Sequence, residues 1–292
     1  DVYEDEPAVH PGLADLDKQR VRVLHSLSFV DDPTRLMRAV RFEQRFNFQI
    51  EKRTLHLLGE ARELLRQLSG ERIHHEFDLI FNEISPLPIL RRLAELELLS
   101  QIHPDFAWRE TYEPAFIKAI DYAQSTQWKI PGNVGNTSIK YVLVYLAWLS
   151  QLDNRSGISV GQRLRLSKPV LETLEKVISL ATSWQEWQDL HPSQFTRTLE
   201  KLPIYGVYSL YCICGDEELR KKLDTYATRW QYVTPTIDGN DLRKQGVPPG
   251  PVYGRILTTT RNAWLDGQIT SPVEELEFVD SLLKEEDGRN HH

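Results

Sequence analysis

Apolar residues recur at three- and four-residue spacing along most of this chain and almost nowhere in simple alternation. Over 33–46, Leu36, Ala39, Val40, Phe42 and Phe46 fall on one arc of a 3.6-residue wheel, and Arg35, Arg38, Arg41 and Arg45 fill the neighbouring arc. Asp32 followed by Pro33 is a strong helix start, and Asn47 is a stop. The same period predicts a helix near 52–67. Another runs from a Ser69 cap to about Glu83, with Ile73, Phe77, Ile80, Phe81 and Ile84 on its apolar face. After Pro86 and Pro88 a further helix covers 87–99. Others are predicted over 115–125, 138–151, 169–188, 192–202, 206–214 and 217–231, from Pro251 to about Trp264, and from Pro272 onward. Gly and Asn around 131–136 mark a loop, as do 234–239 and 246–250. No stretch alternates strongly enough to predict a sheet, so the expected fold class is all-α.

Composition refines this picture. At 292 residues the chain suggests two or three core-bearing units. Trp108, Trp128, Trp148, Trp184 and Trp187 suit a helical core. No run of about 18 apolar residues exists to cross a membrane. Cys212 and Cys214 are two apart, too close for an ordinary disulfide, and read as buried thiols of a cytoplasmic protein. Net charge is −7, which excludes a uniformly basic nucleic-acid binder. The charge is uneven, however. From Lys18 to His75 there are 12 Lys and Arg against 7 Asp and Glu, a local basic surface compatible with RNA phosphates. The chain has no initiator Met, Met37 being its one methionine, and it ends Asn290-His291-His292. It therefore reads as the C-terminal part of a longer protein with a tag-like end.

The candidate chemistry sits at the start of the 33–46 helix. Asp32 and Arg35 are three apart, so in a first turn they point the same way. A carboxylate only accepts hydrogen bonds and a guanidinium only donates them. Together they match the edge of cytosine or adenine, where an amine lies beside an acceptor nitrogen. Uracil and guanine present the reverse order. The competing use of Asp32 is to cap its own helix. Arg38 and Arg41 extend the Arg face toward triphosphate or RNA phosphates, or else bridge to the next helix, where Glu71 and Arg72 are the obvious partners. His74 and Asp78, one turn apart, make two ligands and no metal site. Pro249-Gly250-Pro251 reads as a tight turn before a helix.

These residues carry a family resemblance. Ser28-Phe29-Val30-Asp31-Asp32-Pro33-Thr34-Arg35, with Arg38-Ala39-Val40-Arg41-Phe42 after it, resembles motif D of the class II tRNA nucleotidyltransferases and bacterial poly(A) polymerases. Ser69-Gly70-Glu71-Arg72-Ile73-His74-His75-Glu76 resembles motif E. Asp241 to Pro251, with Gly254 and Leu265-Asp266-Gly267, resembles the tail signature. The three matches come in family order, and 105–230 matches only in helical texture. The family's catalytic head motifs, including its Asp-x-Asp metal pair, are not found in this chain. Asp15-Leu16-Asp17 has that spacing but belongs to a string resembling the connector after the head.

The resemblance implies a helical neck, body and tail in an elongated arrangement, with the α/β head outside this chain. The expected division is 1–28 connector, 29–106 neck, 107–233 body, 234–280 tail and 281–292 extension. Asp32 and Arg35 would be the nucleotide-selecting pair, positioned by Asp31, with Arg38 and Arg41 on phosphates. Glu71, Arg72 and Glu76 would brace the motif D helix. The complete protein would move AMP or CMP from ATP or CTP onto the 3′ hydroxyl of a tRNA or other RNA, with Mg²⁺ held by the head. This chain alone would be inactive and would hold no metal. The wording of its motif D leans toward A-adding or poly(A)-polymerase-like members. Two other readings stay open, a stand-alone helical RNA-binding module and a protein-interaction scaffold whose Arg face meets an acidic partner.

Overall fold

A computed structural model describes residues 15–122 and 127–289. The connector residues 1–14, the last residues of the helix predicted over 115–125, and the tag-like end 290–292 lie outside the described residues. The rest is almost entirely helical. Its strands are four two-residue pieces, joined as two pairs. The chain divides into two compact units, one of residues up to 122 with 131–179, the other of 127–130 with 180–289.

In the first unit, β1 (Arg20–Val21) pairs in parallel with β2 (Gln49–Ile50), Arg20 opposite Gln49 and Val21 opposite Ile50. Between them lie α1 (Ser28–Asp31) and α2 (Thr34–Phe46). Helix α2 buries Leu36, Met37, Ala39 and Val40 and stops at Asn47, whose φ of 51° is left-handed and which closes on the carbonyls of Glu43 and Gln44. Its apolar stripe is narrower than the sequence predicts. Phe42 and Phe46 sit on the flank, under the guanidiniums of Arg41 and Arg45.

The helix predicted over 52–67 is α3 (Lys52–Ala61) continued by a 3₁₀ turn over Arg62–Gln67. The carbonyls at the end of that turn are taken by a side chain from far along the sequence. Arg163 donates to the carbonyl oxygens of Leu65 (3.3 Å) and Leu68 (2.8 Å) from Nη2, and to that of Ile102 (3.1 Å) from Nε. Helix α4 (Gly70–Phe81) follows, with Ser69 capping it by accepting from the Arg72 N–H. A Cβ at Gly70 would lie 2.3 Å from the Arg163 carbonyl oxygen and 2.7 Å from Arg165 Cγ. Glycine is required here by close approach of backbone.

The segment predicted as one helix over 87–99 breaks into α5 (Pro86–Glu95) and α6 (Leu98–Ile102), because Glu97 turns left-handed at φ 57°. Then come α7 (Glu113–Ile120), the β3–β4 hairpin (Asn133–Val134 and Thr137–Ser138), α8 (Ile139–Leu149), α9 (Asn154–Arg163) and α10 (Lys168–Ala181). Helix α9 is absent from the sequence reading, since its two glycines and two serines resemble a loop. Gly157 serves packing, as a Cβ there would meet the Leu149 carbonyl oxygen at 2.5 Å. The core of this unit is aromatic. Phe77 and Phe81 of α4 contact Trp148 and Tyr145 of α8, with ring centroids 5.7 and 5.2 Å apart, and Phe106 and Trp108 close on Trp148 at 4.5 and 5.1 Å.

The second unit holds α11 (Trp184–Trp187), α12 (Pro192–Leu199), α13 (Ile204–Ile213), α14 (Glu217–Thr228), α15 (Gly239–Lys244), α16 (Pro251–Leu265) and α17 (Pro272–Arg289). Cys212 and Cys214 are both buried in it. Ile237, Leu242, Ile256 and Val279 form a core among α15, α16 and α17. Glu275 organises that core. It is fully buried, and its two oxygens accept from Thr236 N–H (3.1 Å), Thr236 hydroxyl (2.6 Å), Ile237 N–H (2.8 Å) and Trp264 Nε1 (2.8 Å). Burial acts to raise its carboxyl, but these four donors outweigh that and hold it below the ordinary value. Among the described residues no helix is long and apolar enough to cross a membrane.

Two expectations test these contacts. Gly70→Ala lowers the stability of the first unit by about 1–3 kcal/mol in urea titration, since a carbonyl must move aside. Glu275→Gln aims an amine at donors and destabilises the second unit by about 2 kcal/mol at neutral pH. The deficit shrinks as the pH falls through the folded carboxyl's depressed value, where the wild type loses the same contribution.

Candidate functional site

The turn into α2, the first turns of α2 and one side of α4 flank an open pocket of about 440 Å³. Asp32, Thr34 and Arg38 line one side, and Glu71, Arg72, His75, Glu76 and Leu79 the other. The site thus depends on α4 being held in register, which is what Arg163 and Gly70 accomplish.

Asp32 uses one oxygen for structure. Its Oδ1 accepts from the Thr34 N–H (3.2 Å), the Thr34 hydroxyl (2.8 Å) and Arg72 Nη2 (2.6 Å). Pro33, not Asp32, occupies the cap position of α2. Among the described residues Oδ2 has no hydrogen-bond partner, and the side chain keeps 25% of its surface exposed. The carboxylate therefore serves the turn and retains an acceptor for something else. Burial acts to raise its carboxyl, but the Thr34 bonds and the Arg72 guanidinium prevail and lower it.

Arg35 is half-buried and lies outside the pocket lining. Its Nη1 donates to Ser28 Oγ (2.8 Å) and to the Ser28 carbonyl (3.2 Å), while Nε and Nη2 find no partner among the described residues. Asp32 and Arg35 do not bond each other through their side chains; each is tied to a different neighbour, and each keeps a hydrogen-bonding group unspent. Asp31 is exposed, with His25 Nε2 at 3.8 Å. Arg38 is exposed on the pocket and makes no hydrogen bond or ion pair among the described residues.

Arg41 is a correction to the sequence reading. It is 8% exposed, and its Nη1 donates to Glu83 Oε1 at 2.9 Å. It is withdrawn from the pocket and lines a neighbouring cavity of about 500 Å³ with Arg45, Phe46 and Glu83. The acid that bridges the Arg face is thus Glu83. Glu71 instead faces Arg165 at 3.4 Å, and Arg72 braces Asp32 directly.

Glu76 is 6% exposed, and its Oε2 is buried without a partner. Burial pushes its carboxyl up; Arg38, Arg41 and His75 oppose this, and Asp32 adds to it. An unpaired buried carboxylate costs stability whenever it is ionised. His74 and Asp78, on the same helix, face inward. His74 Nδ1 lies 3.0 Å from the Leu164 carbonyl and Nε2 3.5 Å from Asp78 Oδ1. Among the described residues no three His, Cys, Asp or Glu side chains converge as a metal ligand set, and Asp15 is engaged by Arg22 at 2.9 Å. Sequence reasoning missed Ser28, Thr34, His75 and Glu83. Thr34 carried a signal, since Asp and Thr two apart readily close such a turn. Glu83 carried none, because it meets Arg41 only through tertiary packing.

Residues 47–109 match a family described as the probable RNA and SrmB-binding site of polymerase A. An A-adding tRNA nucleotidyltransferase of Geobacter sulfurreducens is 30% identical over 91% of this chain and 31% of its own length. One from Halalkalibacterium halodurans is 27% identical over 92% of this chain and 60% of its own. A CCA-adding enzyme of Thermotoga maritima, solved as a complex with tRNA, superposes with a TM-score of 0.72 at 26% identity, over 94% of this chain and 66% of that one. A CCA-adding enzyme solved with ATP gives 0.73 at 27% identity, over 93% and 65%. The chain is thus similar over most of its length to A-adding and CCA-adding tRNA nucleotidyltransferases, and over 47–109 to an RNA-binding family of polymerase A. It spans between about a third and two thirds of the length of these relatives. The likeness covers 94% of the chain and so runs through both units, and the 28–42 and 69–76 segments supply residues on the two walls of the pocket.

The orphaned acid gives a direct test. In Glu76→Gln the melting temperature relative to wild type rises as the pH goes from about 4 to 8. The wild-type penalty appears above the unfolded carboxyl value of about 4.3 and is complete once the raised folded value is passed. A difference that is flat with pH would show that Glu76 is solvated or paired in solution.

Proposed function

We propose that this chain is the nucleotide-selecting and RNA-binding part of a tRNA 3′-end nucleotidyltransferase. The complete protein transfers AMP or CMP from ATP or CTP to an RNA 3′ hydroxyl, and its preference is for adding A. The observation that carries this reading is the state of Asp32 and Arg35. One carboxylate oxygen and one guanidinium edge are spent on positioning, and the other oxygen and edge remain unspent at the start of α2. The free oxygen accepts from the exocyclic amine of adenine or cytosine, and the free guanidinium edge donates to the adjacent ring nitrogen. Against guanine or uracil both contacts become repulsive, acceptor on acceptor and donor on donor. A site that leaves its own buried polar groups unpaired rejects the wrong base by about 10⁴ or more.

Arg38 is the uncommitted cation for phosphate, which Arg41 is not. The basic segment from Lys18 to His75 grips RNA through backbone charge and shape. The preference for A rests on the Ser-Phe-Val-Asp-Asp-Pro-Thr-Arg wording and on A-adding relatives such as that of Geobacter sulfurreducens. A cytoplasmic location goes with the same reading. The nucleotide-transfer chemistry draws on carboxylates that the described residues do not supply. This chain's own share is to choose the base and to hold the RNA end.

The test is the double variant Asp32→Ala with Arg35→Ala in the complete protein, assayed with each of the four nucleoside triphosphates on a tRNA lacking its 3′ end. Discrimination against GTP and UTP falls by at least about 100-fold, while tRNA affinity stays within about threefold. An unchanged choice among the four nucleotides removes the base-selecting role.

A further inference from the structure

A guanidinium that reads a base must be held, because a free Arg side chain loses rotamer freedom on binding. Asp31, expected to help position the Asp32–Arg35 pair, is exposed and paired loosely with His25. Ser28 stands in its place. It is 6% exposed at the start of α1, seven residues before Arg35. Its hydroxyl accepts from Arg35 Nη1 at 2.8 Å, and its carbonyl accepts from the same nitrogen at 3.2 Å. That carbonyl also accepts the backbone N–H of Asp32 at 3.3 Å. One buried residue therefore fixes the backbone of the acid and the side chain of the base partner together.

We propose that Ser28 is the positioning residue of the base-selecting pair, setting the angle at which Asp32 and Arg35 meet the nucleotide. The inference rests on the base-selecting role of that pair. The chemistry favours a serine over an acid at this place. A carboxylate takes a guanidinium in a two-pronged grip and neutralises it. Ser28 occupies one nitrogen and leaves the charge intact, so Nε and Nη2 keep their full donor strength toward a ring nitrogen. It also stays neutral, so it adds no negative charge beside Asp32 and does not weaken the triphosphate's attraction to Arg38.

Ser28→Ala, Ser28→Thr and Arg35→Ala are compared in the complete protein, with kcat/KM measured for all four nucleotides. Ser28→Ala removes the hydroxyl and keeps the carbonyl. It lowers discrimination of ATP over GTP, and of CTP over UTP, by about tenfold, with the melting temperature and tRNA affinity near wild type. Ser28→Thr, which retains the hydroxyl, restores the selectivity. A second readout uses the 292-residue chain with ¹⁵N-labelled arginine. In the wild type, rotation about the Arg35 Cζ–Nη1 bond is slowed by the Ser28 bonds, and Ser28→Ala releases it. Ser28→Ala with wild-type selectivity, alongside an Arg35→Ala that loses it, overturns the positioning role and leaves base selection standing. Arg35→Ala with wild-type selectivity overturns both. Should Ser28→Ala fail to fold, free rotation of the Arg35 guanidinium in the wild type is itself sufficient to overturn the proposal.

Discussion

The close passage of two backbones at Gly70 governs the first unit. The Arg163 carbonyl oxygen lies where any side chain at Gly70 would have to begin, and the Arg163 guanidinium gathers the carbonyls of Leu65, Leu68 and Ile102 just upstream. Helix α4 thereby acquires a fixed starting point. From that point its first turn delivers Arg72 to Asp32 and its later turns drive Phe77 and Phe81 into the aromatic core. Loosening the start of α4 would move Arg72 and the pocket wall together.

Along α2 and the turn before it, structural and functional demands are shared out atom by atom. Asp32 gives Oδ1 to the fold and keeps Oδ2; Arg35 gives Nη1 to Ser28 and keeps its other edge. Arg41, one turn beyond Arg38 on the same helix, is buried, gives Nη1 to Glu83 and leaves its Nε without a hydrogen-bond partner. Glu76 is the opposite case. It is buried, its carboxyl is pushed up, and an oxygen goes unpaired, a cost that stable folds avoid away from working sites.

Much of the fold was legible in the apolar period. Helix α2 and its stop at Asn47, the Ser69 cap of α4, and the helix opening at Pro251 follow from local rules of turn and cap chemistry. The errors have one physical origin. Helix α9 hid behind Gly157 and Gly161, whose absent side chains permit helix packing but locally resemble loop. The 3₁₀ turn at Arg62–Gln67 ends where the distant Arg163 takes up the carbonyls, and the break at Glu97 is a left-handed residue that the apolar period does not mark.

The sequence alone singled out the candidates: an acid and a guanidinium three apart at a helix start, an Arg face beyond them, and a Gly-Glu-Arg segment from which Arg72 reaches Asp32. Those are local relations, set by helical geometry and by which groups donate or accept. Tertiary structure decided which of them remain available. Only packing reveals that Glu83 takes one nitrogen of Arg41 and that Arg72 takes one oxygen of Asp32. A side chain's partners across 40 residues depend on how helices meet, and no local rule carries that distance.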